Sequence, residues 1–436
     1  MKTENGKLKK YKLGELMEVT RGMSLCGDYY ATEGNLMRLT LGNFDYRNNC
    51  FKDDKSKDNL YFSGDVKTEF ILNEGDIITP LTEQAIGLLG STAKVPCSGK
   101  YIQSQDVGLI KCNDKLNPDF AYYLIPSKLV RTQLSAAAQQ TKIRHTSPDK
   151  IKNCTVWIPN YSTQEKFGKL LSALDDKIAL NRRMNAKLEQ MAKRIYDYWF
   201  VQFDFPNADG KPYKASGGKM EYNEVLKREI PAGWEVKKLG TLFTTNRGVS
   251  YSTKTITGDK GIPMINLASF SPDGSYKIDG IKTYTGEYTN EKVLKPFDLV
   301  MCNTQQTAID FSKDIIGKAL LVPDIFEGDI TSSHHVNTLN VHDEKLKFYL
   351  YRLFNTDYFH AYISHYASGT NIMGLDFAGV ENYSAVIPSE EILSKFADFT
   401  LNIEKMKSEI IRENTKLISL RDRLLPLLMN GQVEVK

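Results

Sequence analysis

Gln164-Glu165-Lys166-Phe167 opens a long stretch, Thr163 to Phe205, and Tyr196-Asp197-Tyr198-Trp199-Phe200-Val201-Gln202-Phe203-Asp204-Phe205 closes it; no proline intervenes between Pro159 and Pro206. Phe167, Leu171, Leu174, Ile178, Asn181, Asn185, Leu188, Ala192, Ile195 and Trp199 recur at steps of four and three. That is the seam of a coiled coil held over more than four repeats. At about 1.5 Å per residue, about 38 helical residues make a rod of about 57 Å. A rod of that length needs a partner helix to bury its seam.

The chain offers one further on. A shift of 229 positions lays Phe167, Ile178, Asn185, Leu188, Arg194 and Ile195 onto Phe396, Lys407, Asn414, Leu417, Arg423 and Leu424, and only Ile178/Lys407 changes character. Asn185 and Asn414 are then expected to fix the register of the pair, because a buried amide tolerates few alignments.

The duplication extends beyond the helices. Tyr11-Lys12-Leu13-Gly14-Glu15-Leu16 followed by Arg21-Gly22 matches Val236-Lys237-Lys238-Leu239-Gly240-Thr241-Leu242 followed by Arg247-Gly248, at an offset of 226. Arg38 to Phe44 aligns with Met264 to Phe270 at the same offset. Leu72 to Ile78 resembles Leu294 to Val300, Gly90 to Pro96 echoes Gly317 to Pro323, and Val156 to Pro159 echoes Ala385 to Pro388. Slowly drifting offsets are the trace of a tandem duplication of about 200 residues with loop insertions, each copy a globular domain followed by a long helix. Short β-type runs such as Ile77-Ile78-Thr79, Val107 to Ile110 and Thr155 to Ile158, with helices at Pro118 to Leu124, Leu129 to Ala138 and Lys347 to Leu353, make each globular copy α+β. Asn207 to Lys219 has the composition of an exposed connector.

Composition bounds the function. In 436 residues, 25% are charged and 41% hydrophobic, as in an ordinary globular protein of two to four domains. No apolar run nears the ~20 residues of a membrane span, and Met1 to Lys7 leads into no signal-type core, so no membrane role and a cytoplasmic location are expected. Six dispersed cysteines without a Cys-x-x-Cys fit reduced thiols rather than disulfides or zinc. Residues 1 to 160 carry 22 basic against 18 acidic side chains and residues 229 to 389 carry 14 against 18, so bulk charge decides nothing about nucleic acid and only local patches can.

Enzyme signatures are absent. Gly99-Lys100, Gly210-Lys211 and Gly317-Lys318 lack the spacing of a phosphate loop, and the chain has no Pro-Pro for an amino-methyltransferase loop. Asp175 and Asp176, with Lys177 and Pro148-Asp149, could suggest a nuclease, but on a helix beside the seam they read as a solvated charged face. His334-His335, as neighbours in a strand, should point to opposite sides and so not share a metal. What remains is a polar, flexible segment late in each copy: Gln139-Gln140-Thr141-Lys142-Ile143-Arg144-His145 and Ser368-Gly369-Thr370-Asn371-Ile372. Gln, Asn, Arg and Lys read base edges and hold phosphates. The candidate DNA contacts are therefore Arg21, Arg38, Lys142, Arg144 and His145 in the first copy. In the second they are Arg247, Asn266, Gln305, Gln306, Ser368, Thr370 and Asn371, with Arg21 and Arg247 read as loop residues ahead of their glycines.

The runs Tyr196 to Pro206 and Arg423-Leu424-Leu425-Pro426-Leu427-Leu428-Met429-Asn430-Gly431-Gln432-Val433, the paired Leu-Gly-x-Leu openings and the globular-helix-globular-helix order resemble the specificity subunit of type I DNA restriction and modification systems over the whole length. The resemblance implies two tandem-duplicated α+β target-recognition domains separated by two long antiparallel coiled-coil helices, related by a pseudo-two-fold. The expected division is 1–160 and 229–389 for the recognition domains, 161–205 and 390–436 for the spacer helices, and 206–228 for a linker. It further implies a non-enzymatic reader of a bipartite, asymmetric site in double-stranded DNA. Two methyltransferase subunits would dock on it, and restriction and translocase subunits would join through them. S-adenosylmethionine would sit on the methyltransferase, with no cofactor on this chain. Tyr198, Trp199, Phe200, Phe203, Leu424, Leu425, Leu427 and Leu428 are the expected subunit interface. A single-chain methyltransferase or nuclease with a duplicated specificity module, and a coiled-coil adaptor without a DNA role, are the competing readings.

Overall fold

The stretch that organises the sequence is one helix, Tyr161–Tyr196, continued by a wider π-type turn over Asp197–Val201. A second long helix runs from Glu390 to Met429 with Pro426 inside its last turn. The computed structural model describes residues 8–54, 57–83, 87–137, 144–256, 260–306 and 313–433. The chain forms two units, residues 1–179 with 416–436 and residues 180–415, so each globular copy is joined by one stretch of each long helix.

All ten seam positions of the first helix are buried or half-buried. In the second unit the two helix stretches run antiparallel, with Asn181 against Asn414, Glu189 against Lys407 and Trp199 against Phe396. Of the two expected register amides, Asn414 is engaged across the seam and Asn185 is not. Asn181, fully buried, donates to Asn414 Oδ1 at 3.0 Å and to Glu413 Oε2 at 2.7 Å. Asn185 lies one turn further on with its Oδ1 buried and without a hydrogen-bond partner. Homologous positions in a duplicated antiparallel pair need not face each other, and the 229-residue shift located the equivalent of Asn414 rather than its partner.

Each globular copy is built on a four-stranded antiparallel sheet. In the first unit the order is Ala93–Lys94, Ile77–Pro80, Val107–Cys112, Met17–Arg21; in the second it is Ala319–Leu321, Leu299–Cys302, Val336–Val341, Phe243–Arg247. Registers repeat as well, with Ile110 opposite Ile77 and Val19, and Leu339 opposite Leu299 and Thr245. In each sheet one inner strand, Ile77–Pro80 or Leu299–Cys302, is buried along its whole length because both faces are covered there. On the first unit's sheet one cluster packs Leu13, Leu16, Ile77, Ile110 and Phe120 with Phe167, Leu171 and Leu428 from the long helices, and another holds Leu39, Phe44, Ile78 and Leu109. In the second unit Leu299, Leu339, Tyr349 and Phe354 join Tyr196, Phe200 and Phe396. A short pair closes each copy, Lys9–Lys12 with Thr155–Ile158 and Glu235–Lys238 with Ser384–Ile387.

Two charged clusters tie helix to domain. In the first unit Asp175 accepts from Tyr123 Oη at 2.7 Å and from Arg421 Nη1 at 2.9 Å. Asp175 is thus held in packing and is not the solvated charge expected of it, whereas Asp176 is exposed. In the second unit Arg352 bridges Glu189 and Glu404, and Lys407 Nζ lies 2.6 Å from Glu189 and 2.9 Å from Glu404. The connector after Phe205 leads into a hairpin, Met220–Asn223 with Arg228–Pro231. Stacking of Phe205 between Tyr213 (4.5 Å) and Trp234 (4.9 Å) pins it to the second unit.

Candidate nucleic-acid interface

The same backbone frame closes one end of each sheet. In the first unit, strand Met17–Arg21 ends at Gly22, where a Cβ would lie 2.2 Å from Gln103 O. In the second, strand Phe243–Arg247 ends at Gly248, where a Cβ would lie 2.1 Å from Ser332 O. Only glycine admits this approach. Arg21 and Arg247 are therefore exposed strand ends rather than loop residues, and Arg247 Nε donates to His334 O at 2.7 Å.

The carbonyls that crowd the glycines precede a four-residue β-turn. Val107 N donates to Ser104 O at 3.0 Å around Gln105-Asp106, and Val336 N donates to Ser333 O at 2.9 Å around His334-His335. The flanks correspond too: Met23 N to Gln103 O and Val249 N to Ser332 O on one side, Leu81 N to Asp106 O and Asn303 N to His335 O on the other. Ser-x-x-Val repeats at an offset of 229, which is the sequence signal that could have located this turn.

His334 and His335 thus occupy a turn and not a strand, and their rings do not point apart. Their centroids are 3.9 Å apart, with Tyr251 at 5.3 and 6.1 Å and Lys282 Nζ 5.5 Å above the Tyr251 ring. Alternation of side chains holds along a pleat and fails at a turn. The His335 Nδ1 lies 2.6 Å from Thr304 Oγ1. Burial, then the charges of His334, Arg247 and Lys282, hold the His335 imidazole below its ordinary pKa, so near neutral pH it presents one donor and one acceptor.

Thr304 opens the strand Thr304–Gln306, which pairs with Ile372–Leu375, itself paired with Ala367–Ser368. The late polar segment of the second copy is accordingly a hairpin and not a flexible loop. Ser368, Thr370 and Asn371 sit exposed around its tip, and Gly369 turns it at φ +140°. Arg247, the two histidines, Thr304 and the hairpin tip form one connected surface. In the first copy His145, exposed, pairs with Thr82, and Arg144 pairs with Glu83. Lys142 lies outside the described residues, as do the side chains of Arg144 and Gln306.

Three proposed contacts are committed to the interior. Arg38, 9% exposed, donates from Nε and Nη2 to Asn59 O at 3.2 Å and stacks 3.9 Å from the Tyr30 ring. Asn266, 3% exposed, accepts from Ala268 N and donates to Gly280 O at 2.5 Å. Gln305, equally buried, accepts from Ile315 N at 2.7 Å. A buried polar side chain needs such partners, and residue type alone does not distinguish it from a surface reader. Beside Arg38, a cavity of about 400 Å³ opens between Tyr30, Tyr46, Asp54 and the turn residues Gln105 and Asp106.

At the helix ends, Phe200, Phe203 and Leu428 are core residues, and Trp199, Leu424 and Leu425 pack half-buried against the same cores. Leu427 is half-buried, while Tyr198 and Val201 are 38% and 42% exposed. Burial in the chain's own core removes Phe200, Phe203 and Leu428 from any docking face. Asp149 of the suggested nuclease grouping is exposed on a short helix, where it pairs with Lys152. Among the described residues no helix is long and apolar enough to cross a membrane, and no three metal-ligating side chains converge.

Two tandem α+β domains, each framed alike and each holding a stretch of the same two helices, make a duplicated α+β protein. Residues 5–190 match the type I restriction modification DNA specificity domain. The chain is 24% identical over 329 residues to the type I restriction enzyme MjaIX specificity subunit of Methanocaldococcus jannaschii, covering 74% of this chain and 71% of that one. It is 25% identical over 389 residues to the HindI specificity subunit of Haemophilus influenzae, covering 76% and 81%. The crystal structure of a type I restriction-modification system S subunit from M. genitalium has the same fold, with a TM-score of 0.58 at 15% identity over 98% of this chain and 97% of that one. Residues 5–190 thus carry a type I restriction modification DNA specificity domain, and over about three quarters of its length the chain is similar to type I specificity subunits.

Proposed function

We propose that the chain reads a bipartite, asymmetric site in double-stranded DNA in the cytoplasm, one half with residues 1–160 and the other with residues 229–389. The observation that carries this reading is the twin turn: one backbone frame, repeated down to its glycine and its closing hydrogen bonds, presents Gln105-Asp106 in one copy and His334-His335 in the other. A repeated frame with unlike tips suits two half-sites of different sequence. Exposed Arg21 and Arg247 flank the turns and suit phosphate contacts, which position a protein without reading sequence. Segments 161–205 and 390–436 serve as spacer and as the dock for two methyltransferase subunits, which hold S-adenosylmethionine and recruit restriction and translocase subunits; 206–228 links the copies. Exposed Tyr198 and Val201 are the side chains best suited to that dock.

A mobility-shift selection with a random duplex library, run with the chain alone and with the methyltransferase encoded beside it, tests the reading. Enrichment of two unlike short sequences at a fixed gap supports it. Enrichment of nothing, or of a single unbroken site, refutes it.

A further inference from the structure

We infer that the central pair of each twin turn, Gln105-Asp106 and His334-His335, sets the base preference of its own half-site; this rests on the DNA-reading function proposed above. The argument is an internal comparison. The backbone frame of the turn is shared: the glycine pressed on the preceding carbonyls, the Ser-to-Val closing bond, and the flanking bonds to Leu81 and Asn303. Within the repeated Ser-x-x-Val only the two central side chains change. Where a duplicated scaffold must read two different sequences, the difference has to lie at positions that the frame leaves free and solvent can reach, and Gln105 is exposed while Asp106, His334 and His335 are half-buried.

The chemistry of the two pairs differs in the sense that base recognition requires. Gln105 offers an amide that can meet adenine N6 and N7 together, and the carboxylate of Asp106 accepts only, which suits an amino group such as cytosine N4. The second pair has no carboxylate. With His335 Nδ1 engaged by Thr304, its Nε2 is the nitrogen left to meet a base edge, and the close packing of the tilted His334 and His335 rings beside Tyr251 restricts where they can go. The ligand is therefore a base-pair edge of duplex DNA, with donor and acceptor requirements that differ between the halves.

The test uses the full chain assembled with its neighbouring methyltransferase. The turn pairs are exchanged in place as Q105H/D106H and, separately, H334Q/H335D, with single Gln105→His and His334→Gln variants in case an exchange fails to fold. Binding is measured by anisotropy on duplexes in which each base pair of each half-site is substituted in turn. H334Q/H335D is expected to lose about 10- to 100-fold discrimination at one or two positions of one half-site, leaving the other half unchanged, and Q105H/D106H to do the converse. The inference is overturned if a folded variant loses affinity evenly across all sequences, shifts preference in both halves, or keeps the wild-type profile. Failure of the unaltered assembly to prefer any sequence would instead sink the DNA-reading function itself.

Discussion

Arg352→Ala probes how the helices hold the second recognition domain. The Arg352 side chain is 5% exposed and lies on the helix Glu344–Phe354, whereas Glu189 and Glu404 come from the two long helices. Its Nη2 is 3.1 Å from Glu404 Oε1, and Lys407 completes the cluster. Truncation leaves two carboxylates, with Glu404 9% and Glu189 24% exposed, facing one ammonium. Removing one partner of a buried ion pair costs about 3 to 5 kcal/mol. For a unit of this size each kcal/mol moves the midpoint by about 2 to 4 °C, so a fall of about 6 to 20 °C is expected. Thermal unfolding followed by tryptophan fluorescence reports on this unit, because Trp199 packs against its core and Trp234 lies within it. The double variant Arg352→Ala/Glu404→Gln should fall by less than the sum of the single changes, since the excess negative charge is gone. A fall of less than about 2 °C for Arg352→Ala, or strict additivity in the cycle, would refute the reasoning.

The same cluster predicts a pH dependence. Burial raises the Glu189 pKa, but Arg352 and Lys407 beside it outweigh this and hold it at about 2; a depressed carboxyl stabilises above its unfolded pKa, so the midpoint should drop between about pH 4.3 and 2 and Glu189→Gln should flatten that slope. Gly22→Ala and Gly248→Ala, which press a Cβ to 2.2 and 2.1 Å from a carbonyl oxygen, should each cost about 3 kcal/mol or more in chemical denaturation; ordinary stability in either would remove the frame argument. Asn181→Ala, which strips Asn414 and Glu413 of their shared donor, should cost about 1 to 2 kcal/mol by the same measurement. Tyr198→Ala, at an exposed side chain, should leave the melting midpoint unchanged and weaken co-purification with the methyltransferase; full co-purification would move the dock elsewhere.

The helices and strands were legible because their signals are local. Apolar runs bounded by turn residues put the helix Pro118–Leu124 and the strand Thr155–Ile158 at their observed positions, and a seam at steps of three and four located the long helix, which ends at Tyr196 and its π-type turn at Val201, short of Phe205. Repetition at a drifting offset gave the duplication, and its registers repeat pair by pair in space. Sequence said less about which polar side chains face outward. Arg38, Asn266 and Gln305 have the chemistry of base readers, yet each satisfies a backbone group inside the fold. Tertiary hydrogen bonding, invisible to residue type, decides that. His334-His335 failed for a different reason, since the rule of alternating faces was applied across a turn. Asn185 failed because homology between two helices does not identify the residue across the seam.

The most direct test of the account is to sequence the DNA methylation that arises when the chain is co-expressed with a type I methyltransferase subunit in a host free of other modification. The account predicts methylation confined to one asymmetric motif, two unlike specific segments separated by a gap of fixed length and unspecified sequence. Methylation at a continuous or palindromic motif, or at no defined motif, would contradict it.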